Sequence, residues 1–125
     1  MRSMKQLYRE ATTPELVGLF ESITKAQCEA SWLLQNARYT RLYRRMQAVG
    51  EELKSRVGDQ RRALLPLLQS ENVQVRMMAA HALLAIEPEL ARRALETVRD
   101  SPFMPQAAEA RGSLRSLAEG SYVPN

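Results

Sequence analysis

The sequence is poor in the residues that build disulfides, metal centres and catalytic sites. Its 125 residues include one cysteine, Cys28, and one histidine, His81. A single cysteine cannot form an internal disulfide, and one cysteine with one histidine does not make a zinc-ligand set. No group of residues forms a recognisable catalytic constellation either. We therefore expect no metal, no cofactor and no enzymatic activity.

Long hydrophobic runs and glycine are also scarce. No stretch approaches the roughly 18 apolar residues of a membrane span, and the charged start lacks an apolar signal segment. With 45% hydrophobic residues, 26% charged residues and 5 glycines, the composition is typical of a folded protein. We expect one domain over residues 1–125, with disorder confined to the ends, 1–11 and 120–125. A cytoplasmic location without a membrane partner follows as an expectation.

The spacing of apolar residues predicts a first long helix over about residues 13–35. Thr12 and Thr13 before Pro14 and Glu15 form a helix-start signature. One face of this helix, at three-and-four spacing, consists of Leu16, Leu19, Phe20, Ile23, Gln27, Ala30 and Leu34. No segment alternates apolar and polar residues for long enough to predict a strand, so the fold class is all-α.

A second long helix is predicted to end near Val57. Its apolar stripe consists of Tyr39, Leu42, Tyr43, Met46, Val49, Leu53 and Val57. Gly58 suits the left-handed position after the helix, and Asp59 suits the next N-cap. Pro66 is predicted to kink the helix that follows, because proline removes a backbone hydrogen bond.

The second half of the chain contains an internal repeat. A shift of 31 residues, without a gap, aligns residues 62–86 with residues 93–117 and pairs Leu64 with Leu95 and Leu83 with Leu114. Each unit is interpreted as a short helix, a turn and a longer helix that begins after Asn72 or Pro105. Such hairpins stack because neither buries its apolar face alone.

The repeat unit LLPLLQSENVQVRMMAAHALLAI resembles a HEAT-like repeat, with leucines on the first helix, a polar turn, and V-x-V-R before an alanine-rich helix. The wider run from about Leu16 to Ala118 resembles a small bacterial HEAT-like family catalogued as a domain of unknown function. The resemblance implies an α-α superhelix of about six helices. It implies no established activity, cofactor or catalytic residue.

Three isolated polar or reactive residues have competing interpretations. Arg76 is expected to bond carbonyls or a carboxylate of the neighbouring repeat unit, since its guanidinium presents several donors. His81 lies on a helix that is apolar nearly all round, so an interior histidine is favoured over a general base. Cys28 and Trp32 form a small patch that is either covered by the N-terminal segment or an anchor for a partner.

Basic residues concentrate between positions 36 and 62, where eight basic residues face three acidic ones. The candidate binding residues are Arg38, Arg41, Arg44, Arg45, Arg61, Arg62 and Trp32. The arginines suit an acidic protein surface or a phosphate backbone, although an ordinary solvated helix face has the same pattern.

The favoured function is a non-enzymatic protein-binding module, and an inhibitor or immunity-type protein is one form of it by analogy. Nucleic-acid or phosphate binding by the same arginines is the alternative, although no nucleic-acid-binding motif is present. An enzyme that uses His81 with Arg76 is the least favoured of the three classes.

Overall fold

The computed structural model describes all residues from 1 to 125 and consists of helices joined by short turns. The helices are α1 (Met4–Glu10), α2 (Thr13–Trp32), α3 (Asn36–Ser55), a 3₁₀ helix (Gln60–Gln69), α4 (Val73–Leu83), α5 (Pro88–Arg99) and α6 (Gln106–Glu119). The predicted all-α class is confirmed. The additional helix is α1, which lies within the start that was expected to be flexible. None of the helices combines the length and the apolar character needed to cross a bilayer.

The contacts of the chain group it into two compact units, Met1–Leu64 and Leu65–Asn125. The first unit contains α1, α2 and α3, and the second contains α4, α5 and α6. Chain length alone predicts one domain over residues 1–125. The boundary between the two units falls inside the 3₁₀ helix.

Two capping boxes fix the starts of the first two helices. The Ser3 hydroxyl accepts the Gln6 N–H of α1, and the Gln6 side chain accepts the Ser3 N–H in return. The Thr12 hydroxyl and the Glu15 carboxylate form the same reciprocal pair at the start of α2. Each box satisfies backbone donors that a helix start otherwise leaves unpaired. The helix start predicted at Thr12 is confirmed.

The core of the first unit lies between α2 and α3. From the predicted face of α2, Leu16, Phe20, Ile23, Gln27 and Ala30 are buried. From the predicted stripe of α3, Met46, Val49 and Leu53 are buried.

The last member of each predicted stripe is exposed. Leu34 is 81% exposed and Val57 is 94% exposed. The reason is that α2 ends at Trp32 and α3 ends at Ser55, so both residues lie beyond the helix that the periodicity assigned them to.

Gly58 in the turn after α3 is left-handed, as predicted, but α3 ends at Ser55 instead of near Val57, and the helix that follows differs from the prediction. Gly58 adopts a left-handed φ of 78°, and the Asp59 carboxylate accepts the Arg61 N–H at 3.2 Å. Residues Gln60–Gln69 then form a 3₁₀ helix instead of the kinked α-helix predicted around Pro66. A proline has no N–H to give, and it clashes with the i−4 carbonyl of an α-helix.

In the second unit, α5 packs against both α4 and α6. The Asn72 side chain accepts the N–H groups of Gln74 and Val75 and begins α4, and α6 begins after Pro105. Both helix starts are confirmed. Most of α4 is buried, as an all-round apolar helix requires.

Two polar pairs join α4 to α6. The Gln106 Nε2 donates to the Gln74 Oε1 at 2.9 Å, and the His81 Nε2 lies 2.9 Å from the Ser113 Oγ. The partners of each pair are 32 residues apart, and the two pairs are seven residues, or about two turns, apart on both helices. These two helices therefore run parallel and keep one register over two turns.

Candidate functional site

Three arginines form an exposed basic face on the N-terminal half of α3. Arg41, Arg44 and Arg45 are exposed, and none of them forms an ion pair or a hydrogen bond within the chain. Their spacing of three and four residues places them on one side of the helix. We call these three residues the basic face.

The arrangement of the basic face costs the fold free energy instead of contributing to it. Like charges spaced three or four residues apart on a helix repel one another by a few tenths of a kcal/mol. No carboxylate of this chain neutralises them. An anionic surface of another molecule would relieve this repulsion and find three guanidinium groups available for charge-assisted hydrogen bonds.

Two other predicted arginines have partners within the first unit. Arg38 donates to the Glu29 carboxylate at 3.1 Å and to the Gln35 side chain at 2.8 Å, so it fastens the start of α3 to α2. Arg61 is 9% exposed and makes a two-pronged contact with Asp59, with hydrogen bonds of 2.9 and 2.6 Å. Arg61 is therefore removed from the candidate surface.

The Asp59–Arg61 contact also has an electrostatic signature. The hydrogen bond from the Arg61 side chain lowers the pKa of Asp59, and the same contact raises the pKa of Arg61. Both shifts keep the pair ionised, as a structural ion pair requires.

Arg62, the last of the predicted arginines, is exposed on the 3₁₀ helix.

Arg56 has a structural role that sequence reasoning missed. Its guanidinium donates to the carbonyl oxygens of Tyr8 at 3.0 Å and Ala11 at 2.6 Å, and to the Thr13 hydroxyl at 3.2 Å. Its Nε donates to the Glu52 carboxylate at 2.8 Å. Because the last carbonyls of a helix lack partners within it, Arg56 fastens the end of α1 to α3. The charge pattern of α3 gave no signal for this contact.

The end of α2 and the turn that follows it expose three consecutive apolar residues, which we call the tip. Trp32 is 51% exposed, Leu33 is 58% exposed, and Leu34 is the most exposed of the three. Cys28 by contrast is buried. The predicted patch of Cys28 and Trp32 is therefore divided, and the half that stays accessible is the tryptophan.

A helix-ending motif holds the tip in place. The Gln35 N–H donates to the Ala30 carbonyl at 2.9 Å, and Leu34 has a left-handed φ of 57°. This six-to-one hydrogen bond is that of a Schellman motif, in which the left-handed position is usually glycine. A leucine there carries a steric cost on the order of 1 kcal/mol. The fold gains little burial in return, since this side chain points into solvent.

Two tyrosines on α3 add an aromatic surface near the tip. The rings of Tyr39 and Tyr43 stack with their centroids 6.5 Å apart and their planes 20° apart. Tyr43 is exposed. Tryptophan, tyrosine and arginine are the side chains most enriched at binding hot spots, and this half of the helical hairpin exposes all three.

A cleft of about 330 Å³ lies between α1 and α3 and carries charges of both signs. Its lining residues are Lys5, Tyr8, Arg9, Ala48, Glu51, Glu52 and Ser55. The Tyr8 hydroxyl is buried without a hydrogen-bond partner, and Glu52 is occupied by Arg56. Because the Tyr8 hydroxyl is shielded and the Glu52 carboxylate is already paired, the cleft offers a ligand fewer polar groups than its lining suggests.

His81 lies where α4 contacts α6 and is half-buried, so the interior interpretation holds in part. Burial lowers its pKa to about 4, so the ring is neutral at pH 7. The contact with Ser113 has the length of a Ser–His catalytic pair, but Ser113 lies in the interior of α6, where backbone N–H groups are already bonded within the helix. The backbone N–H groups beside Ser113 are therefore not available to an oxyanion, which is a role that such groups often have in acyl transfer.

The neutral state of His81 gives a pH dependence of stability. Its pKa of about 4 in the folded chain lies below the value of about 6.5 expected in the unfolded chain. Unfolding should therefore take up as much as one proton between pH 6.5 and pH 4, and stability should fall as the pH falls through this window. Above pH 6.5 the contribution should be constant.

Urea unfolding of the wild type and of His81→Gln, measured from pH 4 to pH 8, checks this expectation. The difference between the two proteins removes the contribution of carboxylates such as Glu109, whose pKa is raised by burial. Parallel curves for the two proteins would show that the pKa of His81 is the same in the folded and the unfolded chain, and would contradict this expectation.

Arg76 bonds carbonyls, as expected, but those of its own turn and not of the neighbouring repeat. Its guanidinium donates to the Ser70 carbonyl at 2.8 Å and to the Glu71 carbonyl at 3.2 Å. These bonds hold the turn that precedes α4. Arg76 and His81 each have structural partners, and no group of three or more His, Cys, Asp or Glu side chains could hold a metal ion.

Comparison with known proteins identifies relatives. A family model described as "Domain of unknown function (DUF2019)" matches residues 14–118. The chain is 41% identical to the protein RPA1889 from Rhodopseudomonas palustris CGA009, whose crystal structure matches with a TM-score of 0.90 over 94% of this chain and 97% of that one. No curated protein matches. The family match covers most of the sequence, including α2, α3 and the tip between them, and the chain therefore belongs to the DUF2019 family.

Proposed function

We propose that this chain is a protein-binding module without catalytic activity, and that its partner presents an acidic surface to the basic face. The observation that carries the proposal is the exposure of Arg41, Arg44 and Arg45 without any carboxylate partner. In proteins, complementary charge steers association and selects partners. The apolar tip supplies the buried contact area that charge alone does not provide.

A HEAT-like architecture belongs to the same proposal. Its support in the second unit is the parallel pairing of α4 with α6, with α5 packed against both. The contacts between the two helices have an offset of 32 residues, one more than the shift of 31 that aligns the repeat in the sequence. A stack of helical hairpins produces this arrangement, because equivalent helices of successive units lie side by side.

Nucleic-acid binding by the same arginines is the second candidate. Guanidinium groups bind phosphate as readily as carboxylate, and the net charge of +4 favours a polyanion. The tip argues for a protein partner, since leucines such as Leu33 and Leu34 have no stacking role on bases. Salt dependence separates the two, because several phosphate contacts require a steep loss of affinity with added salt.

An inhibitor or immunity-type role is a narrower form of the proposal. A toxin that cleaves nucleic acid has a basic active site, which the basic face would repel. The charge therefore favours a target with an acidic surface. A cytoplasmic location fits the same proposal, because Cys28 is a buried free thiol and forms no disulfide.

Capture from a bacterial lysate, with and without nuclease, tests the proposed function. Arg44→Glu with Arg45→Glu should lower the retained partner by about tenfold or more, because two attractive charges become repulsive. The matched control is Arg92→Glu with Arg93→Glu, an exposed pair on α5 that changes the net charge by the same amount. Wild type and control should retain one protein after nuclease treatment.

Three outcomes would contradict the proposal. Loss of all bound material on nuclease treatment would favour nucleic acid. An equal loss of the retained partner from the control variant would show that binding depends on the net charge of the chain and not on the basic face. Unfolding of the Arg44, Arg45 variant, seen by circular dichroism, would show that these residues stabilise the fold.

A further inference from the structure

The tip is apolar and accessible at a position where the fold itself favours glycine. Leu34 occupies the left-handed position that ends α2, and it is the most exposed large apolar residue of the turn. Neighbouring Trp32 and Leu33 are more than half exposed as well. An apolar cluster that does not contribute to the core is typical of a contact surface.

The tip and the basic face are close enough for one small element to contact both. Gln35 precedes α3, and Arg45 lies ten residues further along. With a rise of 1.5 Å per residue, this distance is about 15 Å along the helix. Arg41 and Arg44 lie between these two points. A helix of about 15 residues is longer than that distance and could contact apolar and basic side chains together.

We infer that the partner binds through an acidic amphipathic helix, with its apolar residues on Trp32, Leu33 and Leu34 and its carboxylates on the basic face. This inference rests on the proposed function and names the kind of partner segment that the same surface binds. An amphipathic helix presents apolar anchors at positions i, i+3, i+4 and i+7. Its carboxylates pair with guanidinium groups through two parallel hydrogen bonds.

Charge complementarity selects this occupant over a second copy of the chain. The exposed side of α3 around the tip carries three unpaired arginines, so two copies of this surface would repel each other. A neutral apolar segment would cover the tip and leave the repulsion within the basic face unrelieved. A helix with carboxylates opposite the arginines satisfies both parts of the surface.

Trp32 provides a direct measurement, because it is the one tryptophan in the chain. The probe is a synthetic 15-residue helical peptide without tryptophan, with leucines at helical spacing on one face and glutamates on the other. Addition of this peptide should shift the Trp32 emission to shorter wavelength as the indole leaves water. A peptide of the same composition in scrambled order, and one with glutamine in place of glutamate, should each bind at least about tenfold more weakly.

Two variants separate the tip from the fold. Leu34→Gly should weaken peptide binding by about tenfold or more, while the midpoint of urea unfolding stays the same or rises, since glycine adopts this conformation without strain. Leu90→Ala, at an exposed leucine of α5, should leave peptide binding unchanged.

Several results would overturn the inference. One is an unchanged Trp32 emission wavelength when the folded protein is mixed with the acidic peptide at a concentration high enough to saturate even weak binding. Another is equal binding of the glutamine peptide. A shift caused instead by vesicles rich in anionic phospholipid, or by a single-stranded oligonucleotide, would assign the tip to a lipid surface or to nucleic acid.

The inference and the proposed function fail in different ways. If a captured partner is lost from the Arg44, Arg45 variant but kept by Leu34→Gly, the basic face binds protein and the tip takes no part. If both variants lose the partner and the acidic peptide competes with it, both are supported.

Discussion

Replacement of Leu83 by alanine is expected to lower the free energy of unfolding by about 2 to 5 kcal/mol. Leu83 lies at the end of α4 with none of its surface exposed. Its removal loses the transfer free energy of the deleted atoms and leaves a cavity that the packed helices around it cannot fully close. Urea unfolding followed by circular dichroism measures the change.

Val57→Ala serves as the control for the stability measurement on Leu83→Ala. Val57→Ala removes apolar atoms from a side chain that is almost fully exposed, and it should change stability by less than about 0.5 kcal/mol. If Leu83→Ala has an effect as small as this control, α4 is not part of the core, and the packing of the second unit is different from that described.

Replacement of Arg56 by methionine should destabilise the first unit by about 2 to 4 kcal/mol. Methionine keeps only the apolar part of the side chain, and the carbonyls of Tyr8 and Ala11 and the carboxylate of Glu52 lose the hydrogen bonds that Arg56 donates. The Arg56 side chain is 20% exposed, so water replaces these bonds only in part. Hydrogen exchange of the α1 amides should become faster, because this contact fastens that helix to α3.

Trp32 fluorescence during urea unfolding reports on the first unit in this experiment. The matched control is Arg45→Met, which removes an exposed guanidinium without an intramolecular partner and should leave stability nearly unchanged. Similar losses for Arg56→Met and Arg45→Met would show that removal of positive charge, and not of the contact with α1, causes the destabilisation.

Periodicity predicted the helices well but not their ends. The faces of α2 and α3 follow the three-and-four spacing of their apolar residues, and Phe20 and Val49 are buried as predicted. The spacing continued past the ends and included Leu34 and Val57 in the core. Helix ends depend on local hydrogen bonds, such as the one between Gln35 and Ala30, which a stripe of apolar residues does not show.

The candidate site was predictable in part. A cluster of arginines is visible in the sequence, but only some of its members have hydrogen-bond or ion-pair partners within the chain. Arg38, Arg56 and Arg61 pair with groups of the first unit, while Arg41, Arg44 and Arg45 do not. Whether an arginine is free depends on which carboxylates and carbonyls folding brings within reach, and several of these lie far away in the sequence.

The sequence by itself determined the all-helical class, the starts of α2, α4 and α6, and the excess of positive charge between residues 36 and 62. These features are local, since they depend on spacing and capping within a few residues. Only the tertiary structure decided the pairing of Arg56 with the end of α1, the pairing of His81 with Ser113, and the exposure of the tip. The two pairings need segments that are distant in the chain to meet, and the exposure of the tip depends on whether any other segment covers it, so all three are properties of the folded molecule.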